Sequence, residues 1–127
     1  TTPMQDEIGK AHGLKVVNTL TGFKWIGKKL ANYEAEMADK YKEAEGIDIN
    51  YDTTDPDVRA DIMMDYSTFF VCGGEESYGY LPLDLVRDKD GNASALAIAE
   101  LFSFLKASQL TAFEFLESLK GNCNSER

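Results

Sequence analysis

The sequence predicts a single α/β domain in three layers, with a small mixed β-sheet between helices. Three observations support this class. Apolar residues recur at helical spacing in several stretches, short strand-like runs separate these stretches, and glycines or acidic caps mark the junctions. Helices that alternate with strands usually cover the faces of one sheet, so the alternation favours a layered domain. The length of 127 residues suffices for one domain with a modest core.

The first third of the chain predicts a helix, a strand and a second, longer helix. Thr2 and Pro3 suit the cap and the first position of a helix, Gln5 completes a capping box, and Gly13 suits the helix end. Residues 14–18 predict a short strand. The long helix follows from apolar residues at helical spacing up to Gly46, namely Phe23, Ile26, Leu30, Met37 and Tyr41.

The middle of the chain, residues 47–65, is interpreted as a solvated acidic insertion. A short helix from Asp57 to about Met64 can form within it. Residues 68–71 predict the next strand. The aspartates of the insertion are Asp48, Asp52, Asp55, Asp57, Asp61 and Asp65.

The last third predicts an edge strand and two helices. Pro82 restricts residues 80–86 to the edge of a sheet. Asp90 or Asn92 caps the next helix, and Thr111 opens the last one through a capping box with Glu114. The apolar face of the first of these helices consists of Ala93, Leu96, Ala97, Leu101, Phe104 and Leu105.

Three strands make a small sheet, so we expect a further strand of the same sheet to precede residue 1.

The composition limits which classes of partner and which cellular compartment are expected. The formal net charge is −9 and the sequence pI is about 4.5, which argues against nucleic acid or an anionic membrane as the main partner. No apolar run approaches the roughly 20 residues that span a bilayer, and no signal peptide opens the sequence. With only Cys72 and Cys123, a reducing, cytoplasmic setting is expected. Cys72 is interpreted as a buried structural thiol, with a reactive thiol as the alternative.

The most informative segment is Cys-Gly-Gly-Glu-Glu-Ser-Tyr-Gly at residues 72–79. Glycine lets a backbone approach a ligand closely. The carboxylates of Glu75 and Glu76 and the hydroxyl of Ser77 are groups that can bind sugar hydroxyls. A glycine-rich turn after a strand is also where α/β sheets bind ligands. The segment therefore predicts a sugar-binding loop, with a plain polar surface turn as the alternative.

Two further segments accompany this loop: Thr-Leu-Thr-Gly-Phe-Lys-Trp-Ile-Gly at residues 19–27 and Val-Arg-Asp-Lys-Asp-Gly at residues 86–91. In this order, the three segments resemble the third domain of the α-D-phosphohexomutases, the phosphoglucomutase/phosphomannomutase family. The resemblance covers nearly the whole of residues 1–127. It implies an enzyme that interconverts hexose 1-phosphate and hexose 6-phosphate through a bisphosphate intermediate, in a cleft between four domains.

The resemblance also implies site residues. Glu75 and Ser77 would bind the sugar hydroxyls, and Lys89 would face the phosphate or the reacting oxygens in an electrostatic role. Thr21 and Gly22 would line the same cleft. The residues that would shape the loop are Gly73, Gly74, Glu76 and Gly79.

The remaining expectations concern what this chain would lack. The phosphorylatable serine, the loop that holds Mg²⁺ and the phosphate-binding domain would lie in other parts of the enzyme, so no metal and no complete catalytic set is expected here. The expected partners are a hexose phosphate and the other domains, and this domain alone should be inactive.

Other interpretations of the same residues are simpler. Thr21 could be only a helix cap, Lys24 and Lys89 could be solvated, and His12 is expected at the surface. Phe23 and Trp25 suit a core better than a stacking platform. A calcium loop beginning at Asp88 lacks glycine at its sixth position and glutamate at its twelfth, where Ala93 and Ala99 stand. A calcium-binding domain or a non-catalytic acidic interaction module is the alternative function.

Overall fold

The computed structural model of the chain describes residues 3–124, with side chains to residue 121. Over this part of the chain it contains five helices and one two-stranded sheet. In chain order these are α1 Pro3–Ala11, α2 Phe23–Glu45, α3 Pro56–Tyr66, β1 Gly73–Glu75, β2 Gly79–Leu81, α4 Gly91–Ala107 and α5 Ala112–Asn124. The α/β class predicted from the sequence is confirmed.

Helix α2 is the element on which the rest of the fold is built. Its buried residues Phe23, Leu30 and Met37 stand two helical turns apart, so they lie on one face. The sequence ends the helix as predicted, because Gly46 adopts a left-handed φ of 71° and its N–H donates to the carbonyl of Lys42 at 2.9 Å. Burial of this face joins α2 to both α3 and the sheet.

Helix α3 packs on α2 and begins where the acidic insertion predicted a short helix. Asp55 caps it by accepting hydrogen bonds from two backbone N–H groups, and Met63 is buried. Tyr66 lies edge-on to Tyr41 of α2, with ring centroids 5.3 Å apart. The six aspartates are exposed as predicted, but the insertion as a whole is not a solvated excursion, because it packs along α2.

The sheet is smaller than the sequence predicted, and its two strands are antiparallel rather than mixed. The predicted strands at residues 14–18 and 68–71 are wrong, since both segments are irregular in the structure. Apolar character alone does not make a strand, and neither segment has a neighbouring strand among the described residues to complete its hydrogen bonds. The weak strand at residues 80–86 is present only at its start, in β2, which ends before Pro82.

Cys72 is exposed, so its interpretation as a buried thiol is wrong. Its neighbours Phe69 and Val71 are likewise 43% and 48% exposed, whereas Phe70 packs against the core. Thr2, and with it the first capping box, lies outside the described residues. The expected strand before residue 1 lies outside the sequence.

Helix α4 follows its Asp90 cap and contacts β2 and α5. Leu105 is buried, but Leu96, Leu101 and Phe104 are 61%, 40% and 55% exposed. The predicted apolar face is therefore only partly covered, because a sheet of two three-residue strands is too small to cover a helix of 17 residues.

Taken singly, none of the helices in residues 3–124 has the length and apolar composition of a membrane span. Helix α4 together with residues 112–121 meets that criterion as a pair, with a bend of 91° between them.

The start of α5 supplies a prediction about pH. Thr111 donates its N–H and its hydroxyl to Glu114 at 2.8 and 2.7 Å, and these bonds hold the pKa of the Glu114 carboxyl below its ordinary value. A lowered folded-state pKa stabilises the protein above the unfolded-state pKa and loses that contribution as the pH falls through the folded-state value. We expect Glu114→Gln to lower the urea midpoint at about pH 6 and to lower it less at about pH 3, where the unfolded-state carboxyl is protonated. An equal deficit at both pH values would contradict the capping role of the charge.

Candidate functional site

The predicted sugar-binding loop forms a β-hairpin in the structure. Strand β1 pairs with β2 so that Glu75 stands opposite Gly79, and residues 76–78 make the turn. Tyr78 adopts a left-handed φ of 57°, which a three-residue hairpin turn requires at one position. The hairpin therefore places Glu75 at a strand end and leaves Glu76, Ser77 and Tyr78 exposed at the tip.

Glu75 and Lys89 are brought together, although 14 residues separate them in the chain. The Nζ atom of Lys89 donates to Oε1 of Glu75 at 3.0 Å. The Glu75 side chain is only 11% exposed, whereas that of Lys89 is 48% exposed. The carboxylate is thus held in place and neutralised by a lysine whose amino group still reaches solvent.

Backbone hydrogen bonds fix the turn that carries Lys89. The N–H of Asp90 donates to the carbonyl of Tyr80 in β2 at 3.0 Å. The carboxylate of Asp90 in turn accepts from the N–H groups of Asn92 and Ala93 at 2.9 and 3.1 Å, which caps α4. The lysine is therefore tied to the hairpin on one side and to a helix start on the other. The Asp90 carboxylate acts as a helix cap in this arrangement.

Helix α2 lies close against both the turn and the hairpin. A methyl group placed on Gly27 would lie 2.9 Å from the carbonyl oxygen of Arg87. A methyl group on Gly79 would lie 2.7 Å from Cε2 of Phe23 and 2.6 Å from Cγ of Glu75. Glycine at these two positions lets the three sequence segments meet.

Thr21 and Gly22 directly precede α2, which begins at the buried Phe23. Gly22 has a φ of 113°, which favours glycine, and no side chain caps the helix, so Thr21 is not the helix cap of the simpler interpretation. Thr21 is exposed. Among the described residues, no hydrogen bond joins Thr21 or Ser77 to Glu75 or Lys89. The role of these residues in binding stays a prediction.

The other sequence-based expectations here can be checked directly. Phe23 is buried at 5% exposure, as expected of a core residue, and His12 is exposed. Trp25 is half-buried, and Lys24 is exposed with its Nζ 5.4 Å from the Trp25 ring centroid. Gly73 and Gly74 form most of β1.

A polar cluster that the sequence did not predict includes residues of the segment that leads to Lys89. Asp84 accepts a hydrogen bond from the Tyr51 hydroxyl and pairs with Arg59 at 3.5 Å. Arg87 pairs with Glu34 of α2, and both arginines lie over the Tyr51 ring, at 4.2 Å for Arg59 and 5.3 Å for Arg87. Burial, and then the bond to Asp84, raise the pKa of the Tyr51 phenol, which keeps it a donor. No local pattern predicts such a cluster, because its members are far apart in the chain.

We expect Tyr51→Phe to destabilise the fold by about 1–2 kcal/mol, because the half-buried Asp84 loses its hydroxyl donor. Urea unfolding would show a lower midpoint at unchanged slope. Tyr33→Phe is a matched control, since Tyr33 lies on α2 outside this cluster. Equal midpoints for the two variants would show that the Tyr51 hydroxyl contributes nothing.

Comparison with known proteins supports the family resemblance. Residues 58–119 match the family model described as phosphoglucomutase/phosphomannomutase, alpha/beta/alpha domain III. The hairpin and Lys89 lie within the match, and Thr21 and Gly22 precede it. The resemblance seen in the three segments is thus confirmed over residues 58–119, which are similar to domain III of the phosphoglucomutase/phosphomannomutase family.

A relative in Schizosaccharomyces pombe extends the likeness over most of the chain. It carries the name "Probable phosphoribomutase" and is 28% identical over 116 residues, which cover 91% of this chain. The matched region is 15% of the length of that protein. A comparison with solved structures found no match.

The Mg²⁺ that the family resemblance implies does not fit the residues present here. Within residues 3–124, no three His, Cys, Asp or Glu side chains are grouped so that they could hold a metal ion. Glu75 already pairs with Lys89, and Asp90 accepts two backbone N–H groups. No chemical step is assigned to a metal on this domain.

Proposed function

We propose that this chain is the sugar-recognition domain of a phosphomutase that interconverts hexose 1-phosphate and hexose 6-phosphate through a bisphosphate intermediate. The observation that carries the proposal is the Lys89–Glu75 pair at 3.0 Å on a hairpin that belongs to the matched family region. The serine that carries the phosphoryl group, the metal and the phosphate-binding groups would be supplied by other domains of the enzyme.

The chemistry of the pair suits a sugar with a phosphate nearby. A carboxylate has about four acceptor sites, and Lys89 occupies one of them, so Glu75 can still accept hydrogen bonds from two neighbouring hydroxyls. Each such bond to a charged group contributes about 1.5–3 kcal/mol. The ammonium group has two further protons, which can donate to a phosphate or to a reacting oxygen. Ser77, at the exposed tip, can donate to or accept from another hydroxyl.

This arrangement would supply positioning and charge rather than covalent chemistry. Phosphoryl transfer depends mostly on positioning and electrostatic stabilisation, so a rigid carboxylate and a nearby cation are useful contributions. The backbone bond from Asp90 to Tyr80 would preserve the spacing of the two groups while the bisphosphate reorients.

The pentose phosphates are a second candidate substrate class. The observation that favours them is the name of the fission yeast relative, a phosphoribomutase. A pentose phosphate offers neighbouring hydroxyls of the same kind, so the Glu75–Lys89 pair by itself does not separate the two classes.

Nuclear magnetic resonance of the chain tests the proposal. Glucose 1-phosphate, glucose 6-phosphate and ribose 5-phosphate are titrated separately to concentrations well above 1 mM, where a binding free energy of about −4 kcal/mol is visible. We expect the amides of residues 73–81 and 87–91 to shift, more with the glucose phosphates than with the ribose phosphate. A stronger response to ribose 5-phosphate would move the substrate to the pentose class. No shift of these amides with any of the three would refute the proposed site.

A further inference from the structure

A groove next to the Thr21–Gly22 segment shares no lining residue with the site described above. Residues 18–20 form one wall and the first half of α2 forms the other, around a volume of about 240 Å³. We call it the Trp25 groove. It is lined by Trp25, Lys28, Lys29, Asn32, Asn18, Thr19 and Leu20.

Positive charge is concentrated at this groove, although the chain as a whole carries −9. Lys24, Lys28 and Lys29 fall within six consecutive positions, and α2 has no acidic residue in its first turn. Within the described part of the chain, none of these lysines forms an ion pair. Lys24 and Lys28 instead place their Nζ atoms 5.4 and 5.8 Å from the Trp25 ring centroid.

Helix stability does not explain this arrangement. Cations near the start of a helix are disfavoured by the positive end of its dipole. Lys24 and Lys28 are also four positions apart, a spacing at which like charges repel. The first acidic residue of α2 is Glu34, and it pairs with Arg87. The lysines therefore lie where they weaken the helix, and none of them pairs with a carboxylate of the described residues.

The size and lining of the groove indicate what could neutralise this charge. Its volume lies below the roughly 300–1,000 Å³ of pockets for drug-sized ligands, so a small molecule fits it better. Lysine ammonium groups bind phosphate as point charges. The Asn32 amide can donate as well, and Asn18 is held in place by its bond to Asp6 at 3.2 Å. The Trp25 ring offers an apolar wall.

We propose that the Trp25 groove binds a small phosphorylated anion, with Lys28 and Lys29 as its cationic ligands. The site is separate from the Glu75 hairpin and goes beyond the sugar-recognition function. A phosphate group carries up to two negative charges and three terminal oxygens, which matches two lysines and an amide donor. The ligand can be free inorganic phosphate or a phosphorylated metabolite, since both present the same group.

The sole tryptophan of the chain makes the test direct, because Trp25 lines this groove. The chain is titrated with inorganic phosphate, with glucose 6-phosphate and with sodium chloride at matched ionic strength. We expect a saturable change in Trp25 emission with phosphate and none with chloride. A tighter response to glucose 6-phosphate would identify a phosphorylated metabolite as the ligand, and an equal or weaker one would identify inorganic phosphate.

Variants assign the response to the lysines. The double variant Lys28→Gln, Lys29→Gln should weaken phosphate binding at least about tenfold, because it removes the charge-assisted donors. Lys106→Gln, which removes an exposed lysine on α4, should bind as the wild type. All three lysines are exposed, so circular dichroism should show unchanged folding. Unchanged affinity in the double variant, or a response equal to that with chloride, would overturn the proposal.

Glu75→Gln separates this site from the proposed function. The variant should lose the shifts of the hairpin amides with glucose 6-phosphate and keep the Trp25 response to inorganic phosphate. Loss of the phosphate response would show that the anion binds at the hairpin, and the groove proposal would fall. Retention of both responses would leave the groove proposal intact and refute the sugar-binding role of Glu75.

Discussion

If the proposed function holds, replacement of Glu75 by Gln is expected to reduce turnover of the intact enzyme about 100-fold or more. The change keeps the size of the side chain but removes the charge that accepts sugar hydroxyls and holds Lys89 at 3.0 Å. Loss of positioning by about 1 Å can cost a reaction about 10²-fold. Steady-state kinetics in both directions would measure the loss. Phosphorylation of the enzyme's serine by a bisphosphate donor should suffer less, because a donor bound through its phosphates depends less on the sugar hydroxyls.

This variant should fold normally, which separates function from stability. Lys89 is 48% exposed, so its ion pair contributes only about 0–1 kcal/mol to the fold. Glu100→Gln is the matched control, since it removes an exposed carboxylate of α4. If Glu75→Gln keeps near-normal turnover, the hairpin carboxylate does not hold the substrate, and the assignment of the site fails.

Replacement of Gly79 by Ala is expected to disrupt the site and the fold together. The added methyl group would lie 2.6 Å from Cγ and 2.9 Å from Oε1 of Glu75, and 2.7 Å from Cε2 of Phe23. Phe23 is 5% exposed within the core and cannot retreat, so Glu75 has to move away from Lys89. Overpacking of this kind costs about 1–3 kcal/mol. Urea unfolding measures the stability, and the hairpin amides report the loss of sugar binding.

Gly121→Ala is the control for this experiment. A methyl group at Gly121 meets nothing within 4 Å, and alanine in place of glycine within a helix gains up to about 1 kcal/mol. The two glycine variants should therefore change stability in opposite directions. If Gly79→Ala is as stable as the wild type and binds sugar phosphate equally well, the close packing of Glu75, Gly79 and Phe23 is not required.

The helix boundaries could be predicted because their signals are local. Gly46 ends α2, Asp90 caps α4, and Thr111 with Glu114 opens α5, each through contacts within a few residues. The strands could not be predicted in the same way, since a strand needs a partner. Residues 14–18 and 68–71 have strand-like composition but no neighbour in the structure, whereas the glycine-rich Gly73–Glu75 pairs with β2.

The candidate site, too, could be predicted only in part. Glu75, Ser77 and Lys89 could be named from three motif segments, and the family match over residues 58–119 supports that choice of family. The direct pairing of Glu75 with Lys89 could not be derived from composition or spacing. Neither could the cluster around Tyr51, whose partners Asp84 and Arg59 lie 33 and 8 residues away.

The sequence by itself determined most of the helix ends and the resemblance to a family, because these depend on residues that are near each other in the chain or on recognisable short segments. The tertiary structure decided which segments pair as strands, which apolar faces stay exposed, and how α2 holds the hairpin and the Lys89 turn through Gly27 and Gly79. The physical reason is the separation along the chain between the groups that interact. Capping is satisfied within one helical turn, whereas ladder pairing, burial and ion pairs require groups that only the folded chain brings together.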